Sequence, residues 1–424
     1  MRVVVMGAGI IGACSALELL RDGHQVTLLE PAEAGAEQAA SHGNGAWLSP
    51  ASVVPMAMPG LWKKVPGYLL DPQSPLTIRW RSLPALLPWL FKFVQAGSTL
   101  PKVEATARSL SQLLHDAPQR HQQLATEAGV SHLLQQRGLM YAYPDRAAFQ
   151  AESLSWRLRR DNGVSWEECD VTRLHQMLPA LSARYTFGVW VKQGANLLNP
   201  GEYVQALITL AVSRGLQLRK ARALGFRLEQ GVLRAVRSSD GDIACDRAVI
   251  ASGIGSLALA REAGDVVPMQ SERGYNVVLR EPGIDLAMPV MPSDGRMANT
   301  LTNVGLRVAG QVELASQHTA PNWQRADILL RHAQNTYPHL PAGGFNALNM
   351  TRWLGHRPSV ADGLPVIGPA SSCAQVLHAF GHGHVGLASG PVTGRLVADL
   401  VADLVGGLEP VINPQPYSVR RFTR

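Results

Sequence analysis

The opening thirty residues constrain this chain more than any other stretch. Arg2-Val3-Val4-Val5-Met6 reads as a buried strand, and Gly7, Gly9 and Gly12 follow at once in the spacing G-x-G-x-x-G. Ile10 to Arg21 carries apolar residues at helical spacing, and Val26-Thr27-Leu28-Leu29 reads as a second strand ending on Glu30. Together these make a βαβ dinucleotide-binding unit. Gly7 makes the tight turn, Gly9 lets backbone approach a pyrophosphate, and Gly12 lets helix and strand pack closely. Ala8, Ile10 and Ile11 complete the turn, where the helix N-terminus presents N–H groups and a partial positive charge to phosphate. Glu30 lies about 20 residues further on, where a carboxylate accepts hydrogen bonds from a ribose diol. A signal peptide or membrane anchor over residues 1–20 is the competing reading. Three glycines interrupt the apolar core it needs, and the amphipathic Glu18-Leu19-Leu20-Arg21-Asp22 follows.

At 424 residues the chain can bury one large core and is expected to form two lobes. Forty glycines and 28 prolines beside 46% hydrophobic residues fit a loop-rich α/β enzyme. No apolar run reaches the roughly 18 residues that a membrane-spanning helix requires. The net charge of +7 is dispersed. Arg157, Arg159 and Arg160 come nearest to a cluster and read as a solvated helix face, so no nucleic-acid partner is expected. Cys14, Cys169, Cys245 and Cys373 lie far apart without a C-x-x-C pair. Neither a disulfide framework nor a metal site is expected, and a reducing cytoplasm is the default setting.

Further along, residues 50–100 read as irregular and proline-rich, and 104–136 as two polar amphipathic helices. A helix is expected from Asn199-Pro200-Gly201 to Ser213, then short strands to Cys245 and a buried strand over 247–253. Strand-like runs occupy 274–312, a helix spans Trp323 to Tyr337, and a strand near Val376 leads through a glycine-rich turn into a long helix from about Val385 to Val405. The expected fold class is α/β: a Rossmann-like FAD-binding domain with an inserted mixed-sheet α+β substrate domain. The expected boundaries give 1–49, 195–265 and 350–424 to the first and 50–194 and 266–349 to the second.

Two later blocks carry chemistry. One runs from Trp353 through Gly355-His356-Arg357-Pro358 to Gly368. The other is Gly381-His382-Gly383-His384-Val385-Gly386-Leu387, a second glycine-rich turn feeding a helix. A nicotinamide enzyme has no evident need for that second turn. A flavin does, because a helix end facing the N1/O2 edge of the isoalloxazine stabilises the charge that develops there on reduction. An ordinary turn between helix and strand is the alternative.

These blocks, with Ser41-His42-Gly43-Asn44-Gly45, Ala251-Ser252-Gly253, Ser271-Glu272-Arg273-Gly274-Tyr275 and Leu306-Arg307-Val308-Ala309-Gly310, resemble the D-amino-acid oxidase superfamily of FAD enzymes. The resemblance covers nearly the whole chain and is strongest to the D-amino-acid dehydrogenase small-subunit branch. It implies that FAD is held by the first turn with Glu30, by Ser41 to Gly45, by Gly253, and by Gly383, His384, Val385, Gly386 and Leu387. It further implies that Arg357, in a G-x-R-P motif, forks onto the substrate carboxylate. A surface ion pair is the alternative for Arg357, and Arg273 or Arg307 are the alternative carboxylate sites. His384 stands where related amine oxidases place a residue facing flavin and substrate, and where this branch usually has a small or hydroxyl residue. His42 offers a position for a covalent flavin link, although noncovalent FAD is the expectation.

The implied reaction is FAD-dependent dehydrogenation of D-amino acids, with D-proline and hydroxy-D-proline as a subset. Hydride leaves Cα for flavin N5 and an imine forms. The alternatives are an O2-using oxidase of the glycine or sarcosine type, a non-catalytic flavoprotein subunit, and an NAD-dependent dehydrogenase. Electrons are expected to pass to a quinone or another acceptor. Trp89, Phe91 and Phe93, beside Lys92 and following Arg79 and Arg81, would dip into the inner face of a membrane as a peripheral contact. Packing inside the substrate domain is the other reading, since two prolines break a long amphipathic helix.

Overall fold

The computed structural model describes residues 1–61, 67, 71, 74–341, 344–406 and 409–422. The strand Arg2–Met6, the helix Ile10–Arg21 and the strand Gln25–Leu29 follow one another as the apolar spacing requires. Val3 to Met6 are almost fully buried, because the strand lies between two parallel neighbours with both faces covered. The sheet has six strands in the order Gln217–Arg219, Gln25–Leu29, Arg2–Met6, Arg247–Ile250, Val376–Phe380, Val366–Pro369. Strands from both ends of the sequence and from its middle thus meet in one layer.

Helix Gly386–Gly406 packs against Ile10–Arg21 at close range. A Cβ on Gly390 would stand 2.8 Å from Ile10 Cγ1, and one on Gly394 would stand 2.6 Å from the Cys14 carbonyl carbon. Only residues without side chains let the two backbones approach this far.

A second, nine-stranded mixed sheet is built around Met269–Leu279, which pairs antiparallel with Gly305–Leu314 on one side and Met350–Val360 on the other. The strand Met350–Val360 was expected in the dinucleotide-binding domain. It runs instead along Met269–Leu279 over its whole length, with Glu272 opposite Arg357 and Gly274 opposite Gly355. A second boundary also differs. Helices Leu100–Leu114 and Ala117–Glu127, expected in the substrate domain, bury Leu110, Leu113, Leu114 and Leu124 in the core that also contains Ile10 and Leu17. The buried His121 bonds to the Tyr203 hydroxyl (2.9 Å) and the Leu387 carbonyl (2.9 Å), which ties these helices to the start of Gly386–Gly406.

Part of the 50–100 stretch lies outside the described residues. Within the described part, Leu83–Ala96 is a helix rather than an irregular segment. Pro84 falls in its first turn, where the backbone N–H has no intrahelical partner, while Pro88 lies inside the helix and removes one intrahelical hydrogen bond without ending it. Trp89 and Phe93 stack on the inner face (5.0 Å), and the Trp89 indole donates to the Ser359 carbonyl at 3.0 Å. Leu87 and Phe91 face outward and are 56% and 72% exposed, while Val94, 43% exposed, stands at the cavity. No helix among the described residues is long and apolar enough to cross a membrane.

Candidate active site

The two sheets enclose a cavity of about 1470 Å³. That exceeds the roughly 300–1,000 Å³ of an ordinary small-molecule pocket and leaves room for a dinucleotide and a small substrate together. Gly7 turns the chain into it at φ +107°, where a Cβ would stand 2.6 Å from the Ala251 carbonyl oxygen. A Cβ on Gly12 would lie 1.8 Å from the Gly7 oxygen, so this glycine sets the helix against the strand. Gly9 is different. Its open side meets only the Ser41 hydroxyl, 3.7 Å away, and beyond that lies cavity. No side chain caps the Ile10–Arg21 helix, and no acid occupies its first turn. Glu30 reaches the same edge, where Ala8 N–H donates to one carboxylate oxygen (2.9 Å) and Ala32 N–H to the other (3.2 Å). Each oxygen keeps a lone pair for a hydroxyl.

Ser41 supplies the test of fit for a phosphate-bearing cofactor. Its hydroxyl is buried beside Gly9 without a hydrogen-bond partner, a cost that a phosphate oxygen at this turn would remove. The loop behind it is clamped from the large sheet. Arg307 donates to the carbonyls of His42 (3.0 Å) and Asn44 (2.9 Å), Asn276 to that of Gly43 (2.8 Å), and Thr300 to that of Gly45 (2.8 Å). Gly43, Asn44 and Gly45 line the cavity. His42, expected among the cofactor-binding residues, does not: its Nδ1 lies 3.1 Å from the Gly35 carbonyl, so the ring turns away from the cavity.

The second glycine turn enters from the opposite side. Gly381 and Gly383 adopt φ +88° and +54°, and Gly383 N–H donates to the Pro358 carbonyl at 2.9 Å. His382 is turned inward against the Thr393 hydroxyl (3.0 Å), and burial pushes it down to about 3. His384 lines the cavity and is exposed. Desolvation first, and then the Arg357 guanidinium, push it down to about 4, so it is neutral at physiological pH. Val385, Gly386, Leu387 and Gly253 line the same space, as do Ile10 and Ile11; Ala8 and Gly12 stand behind them.

The large sheet forms the floor. Arg357 lies across Gly274, whose Cβ would stand 2.4 Å from the guanidinium carbon, and donates to the Gly310 carbonyl at 3.1 Å. Burial pulls its pKa below the usual guanidinium value, and the Glu272 carboxylate opposes the shift. Neither alternative arginine lines the cavity. Arg273 is fully buried in an ion pair with Glu313 (3.1 Å), and Arg307 serves the 42–45 loop. Sequence reasoning missed Glu272 and His356. Both line the cavity, and His356 Nδ1 sits 2.8 Å from the Ser271 hydroxyl. The signal was within the quoted blocks, but only the strand register brings it beside Arg357.

Comparison with known proteins agrees with this geometry. A family profile described as "FAD dependent oxidoreductase" (DAO) matches residues 2–400. A D-amino-acid oxidase of Bradyrhizobium diazoefficiens is 47% identical over 420 residues, covering 99% of this chain and 98% of that protein. A D-amino acid dehydrogenase of Paramagnetospirillum magneticum is 29% identical, covering 100% and 99%. Among solved structures, glycine oxidase from Geobacillus kaustophilus superposes with a TM-score of 0.74 at 20% identity, covering 99% of each chain. L-proline dehydrogenase from P. horikoshii gives 0.74 at 18% identity, covering 100% of this chain and 98% of that one.

Proposed function

Since this chain belongs to the DAO family of FAD-dependent oxidoreductases, we propose that it oxidises D-amino acids at the Cα–N bond. Bound FAD supplies the acceptor for the hydride removed from the substrate. The observation that carries the reading is Arg357, a half-buried guanidinium on the floor of a cofactor-sized cavity that donates to the Gly310 carbonyl. Its remaining N–H groups can fork onto a substrate carboxylate and fix the orientation of Cα. Neutral His384 stands beside it and offers an uncharged hydrogen-bonding surface to the substrate. Gly7, Gly9 and the uncapped helix behind them would hold the pyrophosphate with Ser41, Glu30 would receive the ribose, and the Gly383–Leu387 turn would lie towards the flavin. The D-amino-acid oxidase and D-amino acid dehydrogenase relatives at 47% and 29% identity support the D configuration.

The test is a panel of D- and L-amino acids, including D-proline and a hydroxy-D-proline, mixed anaerobically with the purified protein. Bleaching of the flavin by D-amino acids is the expected result. A flavin that no amino acid bleaches would overturn the reading in favour of a non-catalytic subunit.

For the electron acceptor the reading is a quinone taken at a membrane surface on the cytoplasmic side. The helix Leu83–Ala96 supports it: Leu87 and Phe91 are exposed apolar residues next to Arg81 and Lys92, and the helix contains no acid. Leu83, Leu90 and Phe93 of the same helix line the cavity. A second reading, direct oxidation by O2, draws on the name of the 47% relative. Stopped-flow mixing of the reduced protein with O2 and with a short-chain quinone separates the two.

A further inference from the structure

Glu272 and Arg357 are register partners on adjacent antiparallel strands. Their side chains leave the same face of the sheet as nearest cross-strand neighbours, with Cβ atoms about 4.5–5.5 Å apart in such pairs. They do not form an ion pair. The guanidinium is drawn away over Gly274 to the Gly310 carbonyl. Among the described residues, no cation lies within ion-pair distance of the Glu272 carboxylate. Glu272 is 5% exposed, and that exposure opens onto the cavity. An acid so placed, without a cation, is held at a cost that a cationic or N–H-bearing ligand would relieve. Burial raises its pKa accordingly, while Arg357 and the Ser359 hydroxyl oppose the rise.

Resting on the functional reading above, we propose that Glu272 accepts a hydrogen bond from the amino nitrogen of the substrate whose carboxylate Arg357 holds. An α-amino acid places an anion and an N–H donor on the same carbon. The floor places a guanidinium fork and a carboxylate acceptor on neighbouring strands, the complementary pair. Together they fix Cα by two points rather than one. Glu272 also discriminates: it attracts a ligand that carries nitrogen beside its carboxylate and repels one that carries the carboxylate alone. The two ligand classes should therefore respond differently to loss of its charge, which a purely structural role for Glu272 would not produce.

Glu272→Gln keeps the shape and removes the charge. The wild-type holoenzyme and this variant are compared using D-alanine and D-proline, read as the concentration giving half the maximal rate of anaerobic bleaching. Propionate, which lacks the nitrogen, is read as a competing ligand. In Glu272→Gln the amino-acid concentration should rise about ten- to a hundredfold, while the propionate inhibition constant stays level or falls. Glu272→Asp keeps the charge on a shorter stem and should lie between, which covers the case in which the glutamine variant loads FAD poorly. Unchanged amino-acid affinity, or an equal loss for both ligand classes, overturns the inference while leaving the functional reading intact. A wild-type flavin that neither amino acid bleaches overturns both.

Discussion

The guanidinium of Arg357 occupies the space that a side chain on Gly274 would fill, with its carbon 2.4 Å from where that Cβ would stand. A methyl group at 274 must displace the arginine from the cavity floor, because the backbone beneath it is paired on both sides. Gly274→Ala is therefore expected to lower kcat/KM by about a hundredfold with FAD content unchanged. Full activity in that variant would show that the position of Arg357 does not matter to the reaction.

Removing the guanidinium itself is the direct counterpart. Arg357→Ala should lose about 2–5 kcal/mol of transition-state binding while retaining its flavin. Arg357→Lys should recover only part, since an ammonium cannot reproduce the planar fork. Steady-state kinetics normalised to bound FAD measures both.

Two glycines of the first turn should fail differently. Gly9 borders open cavity, so Gly9→Val should fold and purify colourless, its side chain filling the pyrophosphate position. A Cβ on Gly12 would meet the Gly7 carbonyl oxygen at 1.8 Å, so Gly12→Val should fail to accumulate as folded protein at all. Flavin absorbance and circular dichroism of the two variants distinguish loss of cofactor from loss of fold.

Buried His121 links helix Ala117–Glu127 to Leu387, and burial pushes it down to about 4. With its folded pKa below the unfolded value near 6.5, the unfolded chain binds the proton first as pH falls. The stability from neutral His121 is complete above pH 6.5 and is lost progressively down to about pH 4. The loss is on the order of 3 kcal/mol. His121→Gln should flatten that part of the stability profile, measured as denaturation midpoints between pH 7 and 4.

The outward stripe on Leu83–Ala96 sets the membrane test. Leu87→Ser with Phe91→Ser removes exposed apolar surface without touching the buried Trp89–Phe93 stack. Binding to anionic vesicles at low salt should fall at least about tenfold, with activity towards a soluble dye unchanged. Equal vesicle binding by wild type and variant would remove the membrane from the account.

The first glycine turn was legible because its spacing is local: Gly7, Gly9 and Gly12 fall in one short stretch between a strand and a helix, although Gly7 packs against Ala251 and Gly9 faces Ser41, both far along the chain. Glu272 was not, although it stood in a quoted block, because its meaning depends on a register with Arg357 across 85 residues of sequence. The placing of Met350–Val360 failed for a related reason. A strand's sequence does not say which sheet it joins, and pairing over its full length with Met269–Leu279 decides the matter. Helix Leu83–Ala96 was misread through its prolines, whose effect depends on their distance from the helix start rather than on their number. His42 was misread because a loop's sequence does not say which way a ring turns.

The clamp on residues 42–45 has a consequence for how the molecule responds to its ligands. Four consecutive carbonyls of a loop from the nucleotide side are gripped by Arg307, Asn276 and Thr300 of the substrate side. Whatever stiffens that loop from the cavity also stiffens the sheet, and by reciprocity a sheet disturbed at Arg307 weakens the hold on the occupant by the same free energy. The halves are thermodynamic partners, so protection of the Gly305–Leu314 amides from hydrogen exchange should rise on cofactor loading, even though the glycine turn proposed to hold the cofactor belongs to the other sheet.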